Sequence, residues 1–425
     1  MRLLPILLRL SLIVTLMPET GLPAADIPPA KSASFADFDA RAQQGTPLTV
    51  VFFGGSLTWG ANASDPELTS YRALMGQYLR TKYPKSSFNF IDAAIGGTGS
   101  KLGIFRLQRD VMARHPDLVF LDFTANDGLE GEDPKSIASY EGLLRDMIGA
   151  GVPVEQVFFG FKYNFGKQYD LKRETGYTQH LKLVEPYQTA CGDLFPYLQP
   201  KLASGELDID KLWALNGGKD GAHPDDPGYE VFFEAARHGY EEAVATKRVC
   251  IVPAQPVFPD DYHQHSRQIL IEGKLPQGWT QTKTFRTSAW FDGLSSRWMG
   301  DVAMCDANDK ATIQPLKVAF TGTLVGIIGE MSENGLDFKA SVDGQPLLDK
   351  GNPKNPPSAV WHFNSKAMKG NLFGWLVLSD SLPAGPHTLE IEPLISDLPA
   401  PTADAPKTPP PKRQLRIESI CSAGN

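Results

Sequence analysis

The sequence predicts two domains in series, a parallel α/β domain followed by an antiparallel all-β domain. Three observations carry this. Apolar runs alternate with segments of helical period from residue 48 to about 248. Those runs are nearly unbroken, as strands covered on both faces are. After Cys250 the helical periods stop, and short β-like runs between turns take over. The chain has 425 residues, of which 42 % are hydrophobic, enough for two separate cores.

The elements follow in order. "LTVVFFGGS" is the first strand. In "ELTSYRALMGQYLRTKY", Tyr71, Leu74, Met75, Tyr78 and Leu79 share one helical face. "FNFIDAAIGG" is the second strand, and a helix is expected over about Lys101 to Ala113. "DLVFLDFTAND" is the third strand, followed by a helix in "PKSIASYEGLLRDMIGAG". "EQVFFGFKYN" is the fourth. A late helix, "GYEVFFEAARHGYEEAVA", starts after Asp225-Asp226-Pro227. Strand and helix in alternation give a parallel sheet with helices on both faces. Ligands of such sheets sit beyond the carboxyl ends of the strands, where Ser56, Gly97, Asn126 and Asn164 fall.

Downstream, "IVPAQPVFPDDY" reads as a Pro-rich linker, residues 251–262. The runs "KTFRTSAWF", "LKVAFTGTLVGIIGE", "LDFKASVDG", "NLFGWLVLSD", "GPHTLEIEPLI" and "RQLRIESICS" then read as strands of a jelly-roll-like β-sandwich over 263–425. Asn334-Gly335 and Asp343-Gly344 are hairpin signals, and "ADAPKTPPPKRQ" is an exposed loop. No internal repeat is present.

The N-terminus reads as a signal peptide over 1–25: Arg2, an apolar stretch from Leu3 to Met17, then small residues at Pro23-Ala24-Ala25. The alternative is an uncleaved anchor, but Arg9 breaks the run and it is short for a bilayer. No later stretch reads as a membrane span, so the mature chain, with its α/β domain expected over 26–250, is placed in the periplasm or outside the cell. The formal net charge of −8 is scattered, with no basic stripe, which argues against a nucleic-acid partner. Of three pairings of the four cysteines, Cys191–Cys250 and Cys305–Cys421 keep each bridge in one domain; four unpaired thiols are the other reading. No spacing of Cys or His marks a metal site, and no cofactor is expected.

A strand that ends on Gly54-Gly55 and then presents Ser56 brings a hydroxyl where backbone can approach it closely. Such a hydroxyl needs a base and a group that holds the base. Among eight histidines, His223 has a partner: Asp220 lies three residues before it in "GGKDGAHPDDPGY". The carboxylate can meet Nδ1 and leave Nε2 for the serine, although Asp-x-x-His-Pro alone also reads as a turn with a helix cap. Oxyanion donors are offered by the N–H groups of Ser56 and Gly97 and the amide of Asn126.

With these residues the sequence resembles the SGNH/GDSL hydrolases over about residues 48–248. Gly54-Gly55-Ser56-Leu57-Thr58 matches the first block, with Gly-Gly-Ser where many members have Gly-Asp-Ser. Gly97 matches the glycine of the second block and Asn126 the asparagine of the third, where Thr124 replaces a glycine. Asp220 and His223 match the last. The resemblance implies a flavodoxin-like three-layer α/β/α fold and a serine esterase. Ser56 is then the nucleophile, His223 the base, Asp220 its orienting acid, and Ser56, Gly97 and Asn126 the oxyanion hole. The absence of Gly-x-Ser-x-Gly, and an acid only three residues from the histidine, argue against an α/β-hydrolase.

Export, a β-module and two tryptophans near the site, Trp59 and Trp213, lean toward an acetylated carbohydrate as substrate and O-deacetylation as the reaction. The tryptophans also read as core, and the β-module as a structural cap. A broad short-chain esterase or lipase is the alternative. A glycan-binding protein with an inactive hydrolase domain is the alternative of another class.

Overall fold

The computed structural model describes residues 32–131, 133–165, 175–307, 313–351, 356–395 and 413–424. The region read as a signal peptide, and nearly all of "ADAPKTPPPKRQ", lie outside the described residues. Ser32 to Asn425 form one compact unit.

Five strands, β1 (Leu48–Gly54), β2 (Phe88–Asp92), β3 (Leu118–Asp122), β4 (Val154–Phe158) and β5 (Ala190–Asp193), make a parallel sheet in the order β2-β1-β3-β4-β5. β1 lies between β2 and β3, pairing Val50 with Phe90 on one side and with Leu118 on the other. The chain turns back across β1 after β2, so the carboxyl ends of β1, β2 and β3 open into a common crevice. The expected helices form at Tyr71–Lys82, Ser100–Asp110, Pro134–Gly149 and Asp226–Ala245. Ser70 caps the first of these by accepting the Ala73 N–H, and Asp133 caps the third from Lys135 and Ser136.

Several elements were not legible, among them the helices Gly176–Tyr187 and Leu194–Ala203, the helix Phe35–Gln44 and β5. The helix Phe35–Gln44 lays Phe35 and Phe38 edge-on against Tyr240. β5 is only four residues, Ala-Cys-Gly-Asp, and its Gly192 lets Ala236 of the helix Asp226–Ala245 approach to 2.8 Å from where a Cβ would stand. A strand so short and so poor in apolar side chains leaves no period-2 trace.

The C-terminal part is antiparallel. β6 (His265–Ile269), β7 (Thr280–Thr282), β8 (Val302–Asp306), β10 (Leu324–Met331), β13 (Leu372–Ser379) and β15 (Gln414–Ala423) form one sheet. β9 (Leu316–Thr321), β11 (Phe338–Val342), β12 (Gln345–Pro346) and β14 (Pro386–Pro393) form the other. A core of Val318, Ile327, Leu389, Ile417 and their neighbours joins the two sheets. β9 alternates buried and exposed residues, as a strand with one wet face does, whereas β10 and most of β15 are buried throughout. Their second face rests on the α/β part: Leu324, Ile328, Phe373 and Cys421 belong to the same apolar cluster as Phe105.

Three expectations change. "KTFRTSAWF" is not a strand at all: β7 ends at Thr282, just before it, and the run is a loop whose Phe285 N–H is given to Glu330 Oε1 rather than to a ladder. "LKVAFTGTLVGIIGE" is not one run but two strands, β9 and β10, which lie in different sheets with the chain crossing between them at Gly322; Asn334-Gly335 turns no hairpin but marks a second such crossing, and of the two hairpin signals only Asp343-Gly344 turns one, joining β11 to β12. The cysteines are unpaired. Cys305 stands opposite Leu415 on β15, six residues from Cys421, or roughly 20 Å along the strand, far beyond disulfide reach. Cys191 is in register with Gln156, while the Cys250 thiol lies against the Val154 carbonyl.

Segment 251–262 has no helix or strand, yet it is fastened down. Glu141 accepts the N–H groups of Val257 and Phe258, Arg145 donates to the Pro253 carbonyl, and Tyr262 is buried. Among the described residues no helix is long and apolar enough to cross a membrane.

Candidate active site

The site is built where β1 ends. Ser56 opens a one-turn helix, Ser56–Trp59, and Gly54 and Gly55 precede it because nothing larger fits. A Cβ on Gly54 would stand 2.2 Å from Thr58 Oγ1 and 2.4 Å from the Asp122 carbonyl; one on Gly55 would stand 2.3 Å from Asn126 Oδ1. Thr58, where another family of hydrolases carries glycine, ties the turn to the sheet beneath it. Its hydroxyl donates to Asp122 Oδ2 at 2.7 Å, with the Tyr71 hydroxyl at 3.3 Å. Burial pushes the Asp122 carboxyl up to about 7.

Asp220, His223 and Ser56 form one hydrogen-bonded chain. Nδ1 of His223 lies 2.9 Å from Asp220 Oδ2, and Nε2 lies 2.8 Å from Ser56 Oγ. Because a carboxylate can only accept, the ring proton is assigned to Nδ1, and Nε2 is left to accept the serine hydroxyl. The loop is a tight turn: Asp220 Oδ1 also accepts the N–H groups of Ala222 and His223. Burial pushes the Asp220 carboxyl up, but hydrogen bonds from the His223 ring and these backbone groups more than offset it and hold the group below the usual carboxylate range. In this geometry the imidazole can take the serine proton, and a carboxylate that stays ionised can stabilise the imidazolium.

Sequence reasoning missed Asn62. Its side chain donates to Asp220 Oδ2 at 3.0 Å and to the His223 carbonyl at 3.3 Å, which binds the acid loop to the segment after Ser56. The same two segments are stitched again where Asp226 accepts from Ser64 and Thr69. Asn62 has φ of 70°, a value Asn tolerates better than most residues, and that preference was the only local signal.

Gly97 and Asn126 line, together with Ser56, a cleft of about 400 Å³. Gly97 has φ of +71°, and its α-face is open, with nothing within 4 Å. Asn126 sits in a one-turn helix, Thr124–Asp127, so the replacement of a glycine by Thr124 asks for no unusual backbone. Asn164 does not join the site. It is buried, accepting the Phe161 N–H and donating to Glu130.

Of the two tryptophans, Trp59 lines the cleft. Trp213 does not: it is 1 % exposed and packs among Phe165 and Phe232, so the core reading holds for it. The other walls are Phe161, Trp290 and Asp292. Trp290 comes from the run that had read as a strand, and Asp292 follows directly after that run. No local pattern could have placed them, since 196 residues separate Asp292 from Gly96, whose N–H it accepts at 2.7 Å.

A parallel sheet with a serine, histidine and aspartate joined at its β1 end defines a class, that of the SGNH-type ester hydrolases. Residues 52–231 match the model of the GDSL-like Lipase/Acylhydrolase family. No curated protein matches the sequence. Among solved structures, a two-domain esterase active on acetylated mannans aligns over 92 % of this chain and 94 % of its own, at 17 % identity and a TM-score of 0.62. A two-domain esterase active on acetylated mannans, co-crystallised with mannopentaose, aligns over 93 % and 97 %, at 16 % identity and 0.64. An acetylxylan esterase from Geobacillus stearothermophilus covers 47 % of this chain and 96 % of its own, at 19 % identity and 0.39. At such identities the first two establish a shared fold that includes the C-terminal β part.

Proposed function

We propose that this protein is an exported O-acetylesterase of polysaccharides or oligosaccharides, with Ser56 as nucleophile. The observation that carries the reading is the chain from Asp220 through His223 to Ser56, standing at a cleft that Gly97 and Asn126 also line. Ser56 attacks the acetyl carbonyl while His223 takes its proton. The oxyanion is held by the N–H groups of Ser56 and Gly97 and by the Asn126 amide. His223 returns the proton to the leaving sugar hydroxyl, and water then releases acetate by the same route. No metal enters this sequence, so a chelator should leave the rate unchanged.

A carbohydrate leaving group is supported by the aromatic rings of Trp59, Phe161 and Trp290 around the serine, since flat rings suit the apolar faces of sugars. It is supported also by the likeness, across both parts of the chain, to an esterase active on acetylated mannans. Export rests on the expected signal segment at 1–25. The reading predicts hydrolysis of p-nitrophenyl acetate, acetate release from acetylated glycans, and a rate that falls by butyrate. A long apolar acyl site would instead gain about 0.8 kcal/mol per methylene, so kcat/KM rising toward octanoate would overturn the deacetylase reading in favour of a lipase. An inactive wild type with bound glycan would leave a binding protein.

A further inference from the structure

We propose that Asp292, a residue of the C-terminal β part, is a positioning residue for the oxyanion hole. The assignment rests on the esterase reading above. The donor in question is the N–H of Gly97, which belongs to the peptide unit between Gly96 and Gly97. The unit before it, between Ile95 and Gly96, is gripped at both ends. Its carbonyl accepts the Thr98 hydroxyl at 2.7 Å, and its N–H donates to Asp292 Oδ2 at 2.7 Å. A backbone held on one side by its own loop and on the other by a carboxylate has little freedom to rotate the next N–H away from Ser56.

The contact is close. A Cβ on Gly96 would stand 2.3 Å from Asp292 Oδ2 and 3.5 Å from Ser56 Cβ, so the carboxylate lies flat on the loop right beside the serine. Gly97 itself has no such support, because its α-face is open and its φ of +71° belongs to a region glycine visits freely. Something outside the loop must therefore hold it.

Asp292 can do so because its own segment is anchored. Its carbonyl accepts the Trp298 indole N–H. Trp298 lies in the core of the α/β part, stacked beneath the Arg106 and Arg297 guanidinium groups. Arg297 in turn donates to Asp92, the last residue of β2, and Arg109 donates to the Arg297 carbonyl. The short run 292–298 is thus pinned at β2, where the loop it braces begins.

The test uses the full chain and p-nitrophenyl acetate, with active sites counted by titration with an organophosphonate. Asp292→Ala should lower kcat about ten-fold or more, less than the 10²–10³ for losing a donor outright, with KM changed less than two-fold. Asp292→Asn keeps an oxygen that can accept the Gly96 N–H and should restore kcat to within about three-fold of the wild type. A role in folding alone would reduce the titrated sites and leave kcat per site intact, and that result overturns the proposal. So does an Asn variant as slow as the Ala variant, or an Ala variant with unchanged kcat. If Asp292→Ala yields no titratable sites, the Asn variant decides alone against Asp292→Leu, which is of similar size and cannot accept. A wild type inactive toward the aryl acetate strikes at the esterase reading instead, before any variant is compared.

Discussion

At the scale of single residues the site depends on close approach. Ser56→Ala should reduce ester hydrolysis to a few per cent or less of the wild-type rate while the thermal midpoint stays put, because the change removes one atom from a small, enclosed side chain; retained activity would show another nucleophile. Asn126→Ala should lower kcat by roughly 10²- to 10³-fold, the usual loss for one oxyanion donor. A change in KM alone would make Asn126 a substrate contact. Gly55 gives a sharper test. Its backbone, φ −99° and ψ −151°, is open to any residue, so a substitution there has no conformational cost. Yet a Cβ would press on Asn126 Oδ1. Gly55→Ala, and the Gly55→Asp change that would restore the commoner family block, should leave the fold intact and lower kcat by displacing Asn126. A Gly55→Asp variant with wild-type kcat would mean that Asn126 can give way at no cost. Ser56, Asp220 and His223 were legible because each announces itself locally, the serine by two glycines after an apolar run, the acid by its spacing to the histidine. Asn62 and Asp292 act across space on partners far along the chain, and nothing next to them in sequence says so.

At the scale of elements, β1, β3 and β4 were legible because they are buried on both faces and so read as unbroken apolar runs. One residue breaks the rule within β4. Glu155 is fully buried, and neither carboxylate oxygen has a hydrogen-bond partner among the described residues. Burial pushes its carboxyl well above the ordinary 4.5. The sign of the effect on stability follows. The folded protein holds this proton to a higher pH than the unfolded chain, which releases it above about 4.5, so stability falls as pH rises, by up to about 1.4 kcal/mol per pH unit. Asp122 on β3 acts in the same direction between its ordinary 3.8 and about 7. Glu155→Met should therefore raise the thermal midpoint at pH 8 by more than at pH 5, where the native carboxyl costs little. Midpoints measured at both values decide it. An equal gain at the two pH values would assign the effect to packing, and a loss at pH 8 would mean that the carboxylate has a partner that holds its charge.

At the scale of the whole molecule, the alternation of strands and helices revealed the α/β part, and the change of texture after Cys250 revealed the β part. The sequence did not reveal how far the two are joined. β10 and β15 are buried on both faces, which fits a central strand of any sandwich; that the second face belongs to the neighbouring domain is a fact of packing. Leu324, Ile328, Phe373 and Cys421 share a cluster with the α/β core, and Trp375 lies 5.3 Å from Phe105, ring to ring. Polar ties run beside them, from Arg297 to Asp92 and from Lys135 to the Asp380 carboxylate. Separation of the two parts would expose that face of β10 and β15 at about 25 cal/mol for each Å² of apolar surface. Neither part can then lose its structure without stripping the other of its cover. Calorimetry should show a single unfolding transition, with the calorimetric enthalpy close to the van't Hoff value. Activity toward p-nitrophenyl acetate should disappear within that same transition, since the loop that carries Asp292 leaves the cleft when the β part unfolds. Two resolved transitions, with esterase activity surviving the first, would show that the β part is a detachable module and that the α/β part holds its catalytic geometry alone.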